Sequence, residues 1–100
     1  MSLSEEIKYI TYRLEGESKA NNEYGFVEVS VDVTKDETKF DEALKEMEKA
    51  VKELGKKGIT LDKDSGPGNS RFYEFSCGEE KYTLILKKSF GDGGFRRLRG

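Results

Sequence analysis

Histidine, glutamine and tryptophan are absent from this sequence of 100 residues, and cysteine and proline each occur once. Without histidine, the chain cannot supply an imidazole base, a Ser-His-Asp or Cys-His nucleophile pair, or a histidine-ligated zinc site. The lone Cys77 excludes an internal disulfide and a four-cysteine metal site. We therefore expect no enzymatic activity, no metal site and no cofactor.

Long hydrophobic runs are also missing from the sequence. No stretch approaches the roughly 18 apolar residues that a membrane-spanning helix needs. The first residues, Met1 to Glu6, are neither basic nor followed by an apolar run, so they do not resemble a signal peptide. These features predict a cytoplasmic protein that does not interact with a membrane.

The composition is poor in apolar residues and rich in charge. Hydrophobic residues make up 34% and charged residues 38% of the chain, against about 45–50% and about 25% in an average globular protein. The length predicts a single domain, and the composition predicts a thin core. Abundant Glu and Lys without Gln is typical of hyperthermophile proteins and also of designed sequences.

Charge is distributed unevenly along the chain. Residues 1–50 carry 7 basic and 13 acidic side chains, whereas residues 51–100 carry 11 and 7. We interpret residues 1–90 as the folded domain and the glycine-rich, basic residues 91–100 as a flexible tail. A basic end of this kind indicates either contact with a polyanion or a solubilising terminus.

Residue periodicity predicts one helix among five strands. Val27, Val29, Val31 and Val33 alternate with polar residues, which predicts a strand from Tyr24 to Thr34 that is covered on one side. The period changes to 3.6 residues from Thr38 to Leu54, which indicates an amphipathic helix. Residue types and turn signals place the other strands. They are predicted at Glu6–Glu15, Ile59–Asp62, Arg71–Cys77 and Lys81–Lys88, with turn-rich or loop segments at 16–25 and 63–70.

These elements predict an α+β fold in the order ββαβββ. We expect a single antiparallel-rich sheet with the helix packed on one face, because one helix covers only one face of such a sheet. The element order and the basic ending Arg97-Leu98-Arg99-Gly100 also resemble a β-grasp domain of the ubiquitin kind, which stays open as an alternative architecture.

The face away from the helix is the predicted binding surface. Strand parity and the neighbouring tail place aromatic and basic side chains there, a combination that suits single-stranded DNA or RNA, whose bases stack on rings while phosphates contact cations. The predicted nucleic-acid-binding residues are Tyr9, Arg13, Phe26, Phe72, Lys81, Lys87, Phe90, Phe95, Arg96, Arg97 and Arg99.

The same face supports a second hypothesis. Glu28, Asp32 and Glu74 share it by parity and would repel phosphates. Exposed aromatic residues on a sheet are also typical of a homodimer or of another protein–protein interface. The sequence thus leaves open a protein-interaction module, natural or designed, that buries this face.

One segment resembles a known family. Tyr24 to Leu54 (YGFVEVSVDVTKDETKFDEALKEMEKAVKEL) is similar to the valine-strand-then-helix unit of ThermoDBP-related archaeal single-stranded-DNA-binding proteins. The resemblance implies a sheet with a helix on one side and nucleic acid held by aromatic and basic residues. By side-chain type, the residues of this sequence that would hold nucleic acid in that way are Tyr9, Phe26, Phe72, Arg13, Lys81 and Lys87. The family's C-terminal zipper helix has no counterpart in FGDGGFRRLRG.

Overall fold

The computed structural model describes residues 2–21 and 23–90, which form two helices and one five-stranded sheet. The sheet order is β1-β2-β5-β4-β3, with β2 and β5 parallel and all other neighbours antiparallel. This is an α+β fold with one sheet, as the sequence predicts. The elements are α1 (Leu3–Tyr12), β1 (Glu17–Asn21), β2 (Phe26–Asp32), α2 (Thr38–Lys56), β3 (Thr60–Ser65), β4 (Ser70–Cys77) and β5 (Glu80–Ser89).

The first element is a helix, so the strand predicted at Glu6–Glu15 is wrong. The Ser2 side chain caps this helix by accepting a hydrogen bond of 3.2 Å from the backbone N–H of Glu5. Its buried aliphatic residues, together with one that follows the C-cap, recur every three or four positions, which is the helical period, and each is at most 3% exposed. They are Leu3, Ile7 and Ile10 within the helix and Leu14 just after it. The β-forming residue types in this segment are therefore overridden by the helical spacing of its apolar side chains.

Two further segments differ from the prediction. The turn-rich stretch 16–25 contains β1, whose residues pair with β2 from Glu17 opposite Ser30 to Asn21 opposite Phe26. The predicted loop 63–70 is shorter, because β3 continues to Ser65 and β4 begins at Ser70. Both β1 and β3 are edge strands with mostly exposed polar residues, so neither carries the apolar alternation that identifies β2.

The core lies between one face of the sheet and both helices. Val27 and Val29 of β2 are opposite Leu84 and Leu86 of β5, and all four side chains are at most 3% exposed. The buried stripes of α1 and α2 belong to the same cluster. Both helices therefore cover the same side of the sheet. Neither helix is long and apolar enough to cross a membrane, and the described residues contain no other helix.

Candidate functional site: the open sheet face

The second face of the sheet is not covered by either helix. Its residues follow from the strand register, because side chains directly opposite each other on neighbouring strands point to the same side. We call this surface the open face. Its central members are Phe26, Glu28 and Ser30 of β2, Lys81, Thr83, Ile85 and Lys87 of β5, and Phe72, Glu74 and Ser76 of β4.

An apolar stripe crosses the middle of the open face. Phe72 lies directly opposite Ile85 on the β4–β5 pair. Phe26 lies opposite Thr83, which is the neighbour of Ile85 on the same face. Ile85 and Phe26 are half-buried, and Phe72 is 38% exposed. Phe72 and Ile85 are thus direct cross-strand neighbours, and Phe26 lies diagonally across from Ile85 on the same face. We call these three side chains the Phe26–Ile85–Phe72 stripe.

Charges of both signs surround this stripe. Lys87 Nζ lies 2.9 Å from Glu28 Oε1, and Lys63 Nζ lies 3.8 Å from Glu74 Oε2. Lys81 forms no ion pair with any residue that the structure describes. The register places four lysines (19, 63, 81, 87) and four carboxylates (17, 28, 32, 74) on this side of the five strands. The open face is therefore close to electrically neutral.

Four predicted site residues share the open face as expected, and two do not. Phe26, Phe72, Lys81 and Lys87 are on this side of the sheet. Tyr9 is wrongly predicted there: it lies on α1, 66% exposed, on the helical side of the molecule. It is misplaced because strand parity was applied to a segment that forms a helix.

Arg13 is the second misplaced residue, because it forms ion pairs between the two helices. As the C-cap of α1, it donates hydrogen bonds of 2.7 Å to Glu46 and 2.6 Å to Glu53, both on α2. Its hydrogen bonds to Glu53 and Glu46 raise the pKa of the Arg13 guanidinium, and the bond from Arg13 lowers the pKa of Glu53. A further ion pair joins the end of α2 to α1, because Lys57 Nζ lies 2.7 Å from Glu6 Oε1.

The remaining predicted residues belong to the chain end. Phe90 follows β5 directly and is 58% exposed. Phe95, Arg96, Arg97 and Arg99 lie outside the described residues, and so does the basic tail predicted at 91–100. Their part in any binding surface stays a prediction.

Ile85 is the residue that the predicted site lacks. It occupies the centre of the open face between Glu28 and Phe72, on the middle strand of the sheet. The alternation within β5 already places it on the side of Lys81 and Lys87, so its position was available from the sequence. The predicted nucleic-acid site contains only aromatic and basic residues, and it omits Ile85 because isoleucine neither stacks on bases nor contacts phosphate.

Within residues 2–21 and 23–90, no three acidic or cysteine side chains lie together as a metal site would require. Comparisons with protein-family models, with curated proteins and with solved structures found no match to this chain. The likeness to ThermoDBP-related proteins and the β-grasp alternative therefore stay predictions.

Proposed function

We propose that this chain is a non-catalytic interaction module that self-associates by packing the open face of one copy against that of another. The observation that carries the proposal is the Phe26–Ile85–Phe72 stripe, an apolar centre with polar and charged side chains around it. An apolar centre inside a polar rim is the usual anatomy of a protein–protein interface.

Neutrality of the open face supports a protein partner over a polyanion. Lys87 and Lys63 are already paired with Glu28 and Glu74. A phosphate chain would have to displace these carboxylates or lie beside them. A second copy brings equal numbers of lysines and carboxylates, so the two rims can form reciprocal ion pairs in an isologous dimer.

The size of the open face limits the strength of such a dimer. Five strands at about 4.8 Å spacing make a face about 24 Å wide, and six residues at about 3.3 Å make it about 20 Å long. Two such faces together bury on the order of 1,000 Å², which is at the lower end for specific interfaces. We therefore expect a reversible dimer with a dissociation constant in the micromolar range.

Sedimentation equilibrium over a micromolar concentration series tests this proposal. The wild type is expected to dimerise, and Ile85→Lys is expected to weaken dimerisation more than tenfold. The reason is that this substitution places a charge at the centre of the interface, where truncations have their largest effects. Tyr12→Lys is the matched control, because it introduces the same charge at a side chain that is 80% exposed on the helical side.

Circular dichroism separates loss of the interface from loss of the fold, since both variants should keep the wild-type spectrum. A wild type that stays monomeric throughout the series would contradict self-association. Equal weakening by Ile85→Lys and Tyr12→Lys would show that the open face is not the interface.

Single-stranded nucleic acid is the second candidate ligand. Phe72 presents a partly exposed ring on the face that also carries Lys81, a lysine without an ion pair among the described residues. Rings beside cations are typical of surfaces that bind unpaired bases. The sequence adds three arginines after Phe90, which strengthens the attraction for phosphates.

Fluorescence anisotropy with labelled single-stranded DNA and RNA at two salt concentrations tests this candidate. Phe72→Ala should weaken binding by about 1–3 kcal/mol through lost stacking, with little change in salt dependence. Lys81→Ala should reduce the salt slope by roughly 0.7. Tyr9→Ala is the control, since its ring lies on the helical side. No binding at low salt would exclude this function.

A further inference from the structure

A groove of about 300 Å³ lies on the helical side of the sheet, between α2 and the strands β3 and β4. Its apolar wall consists of Leu44 and Val51 of α2 and Leu61 of β3, three partly buried side chains that pack against the core. The charged side chains around it are Glu48, Lys52, Asp64 and Arg71. This groove is separate from the open face, and the proposed function does not use it.

Tyr73 places an unpartnered hydroxyl in this groove. The residue is only 4% exposed, and its ring stacks on Phe75 with centroids 6.3 Å apart. Its hydroxyl forms no hydrogen bond with any described residue. No side-chain polar atom in the described chain is both fully buried and unpaired, so this hydroxyl keeps access to the groove that Tyr73 lines.

The Tyr73 hydroxyl can act only as a neutral group in this groove. Burial, with Asp64 adding to it, raises the pKa of Tyr73 to about 12. At neutral pH the group therefore stays protonated and offers an O–H donor. Because this donor is accessible from the groove, a ligand with an acceptor oxygen can take the place of solvent and accept a hydrogen bond from it.

The charges around the groove limit which ligands it favours. Arg71 Nε donates a hydrogen bond to Asp64, and Glu48 and Lys52 add one charge of each sign. With two acids and two bases, the groove offers no net attraction to an anion or a cation. The apolar wall instead stabilises an apolar ring or chain.

We propose that this groove binds small neutral molecules that combine an apolar ring or chain with a carbonyl oxygen, which accepts a hydrogen bond from the Tyr73 hydroxyl. The apolar part lies against Leu44, Val51 and Leu61. The volume is at the lower end of the roughly 300–1,000 Å³ that is usual for ligand sites, so the ligand class is limited to compact molecules such as aryl amides or ketones.

Acetanilide, a neutral aryl amide, is the probe that tests this site. Titrated into the isotope-labelled 100-residue chain, it should produce saturable shifts at the methyl signals of Leu44, Val51 and Leu61. Tyr73→Phe should weaken its binding about fivefold, as expected for the loss of one neutral hydrogen bond. Tyr82→Phe is the matched control, because it removes another buried tyrosine hydroxyl, one that donates to the Phe26 carbonyl away from the groove.

Two further arms separate the hydrogen bond from the apolar contact. Propylbenzene, which lacks the carbonyl, should bind wild type and Tyr73→Phe equally. Val51→Phe, which adds bulk to the wall of the groove, should weaken both probes. The absence of saturable shifts with acetanilide would overturn the proposal. Equal affinity of wild type and Tyr73→Phe for acetanilide, or shifts confined to Phe26, Phe72 and Ile85, would overturn it as well.

Discussion

Val29→Asp is expected to leave the chain largely unfolded at 25 °C. Val29 is fully buried in the centre of β2, where it packs beside Leu86 of the parallel strand β5. An aspartate at this position is an unpaired charge in a low-dielectric core, which costs several kcal/mol. The total stability of a domain this small is only about 5–15 kcal/mol. Far-ultraviolet circular dichroism and urea titration measure the loss.

Ser30→Asp is the control for this substitution. Ser30 is the next residue of the same strand, but it lies on the open face opposite Lys87. The same new charge is expected to change the free energy of unfolding by only about 0.5 kcal/mol. If the two variants unfold at similar urea concentrations, the assignment of core and open faces in β2 is wrong.

Ile7→Asp is expected to be the second severe substitution, and Tyr12→Asp is expected to be nearly neutral. Ile7 lies on the buried face of α1 and is fully buried, whereas Tyr12 is 80% exposed at the end of the same helix. If this segment were a strand, Tyr12→Asp would be the severe substitution and Ile7→Asp the mild one. The alternation of a strand would place Tyr12 with Ile10 and Leu14 towards the core and Ile7 on the outside. The pair of variants therefore distinguishes a helix from a strand at Leu3–Tyr12.

Urea unfolding of the two variants gives the measurement. We expect Ile7→Asp to lose several kcal/mol and Tyr12→Asp less than about 1 kcal/mol. Greater destabilisation by Tyr12→Asp than by Ile7→Asp would contradict the position of α1 on the sheet.

Much of the fold follows from local sequence patterns. The valine alternation identifies β2 and its two faces, because side chains in a strand alternate whatever the strand pairs with. The apolar residues from Phe40 to Leu54 recur with the helical period, which identifies α2 because this spacing places them on one face of a helix whatever that face packs against. The placement of Phe26, Phe72, Lys81 and Lys87 on one face needs only these parities and the position of the helix.

The first segment shows how such pattern reading fails. The segment Ile7 to Tyr12 is rich in β-branched and aromatic residues, which favour strands by type. The helical signals were also present, in the four-three-four spacing of Leu3, Ile7, Ile10 and Leu14 and in the Ser2–Glu5 cap. Spacing decides here, because burying one continuous stripe of a helix contributes more than the intrinsic preference of each residue.

Only the tertiary structure decides the features that join distant parts of the chain. The parallel pairing of β2 with β5 places Phe26 beside Thr83, and the edge position of β1 follows from its pairing with β2. Arg13 lies away from the sheet, where it donates hydrogen bonds to Glu46 and Glu53. The Tyr73 groove likewise exists only because α2 lies across β3 and β4. The periodicity of a segment indicates only which of its own side chains are buried. These contacts depend on which segments lie next to each other, and the packing of the whole core determines that arrangement.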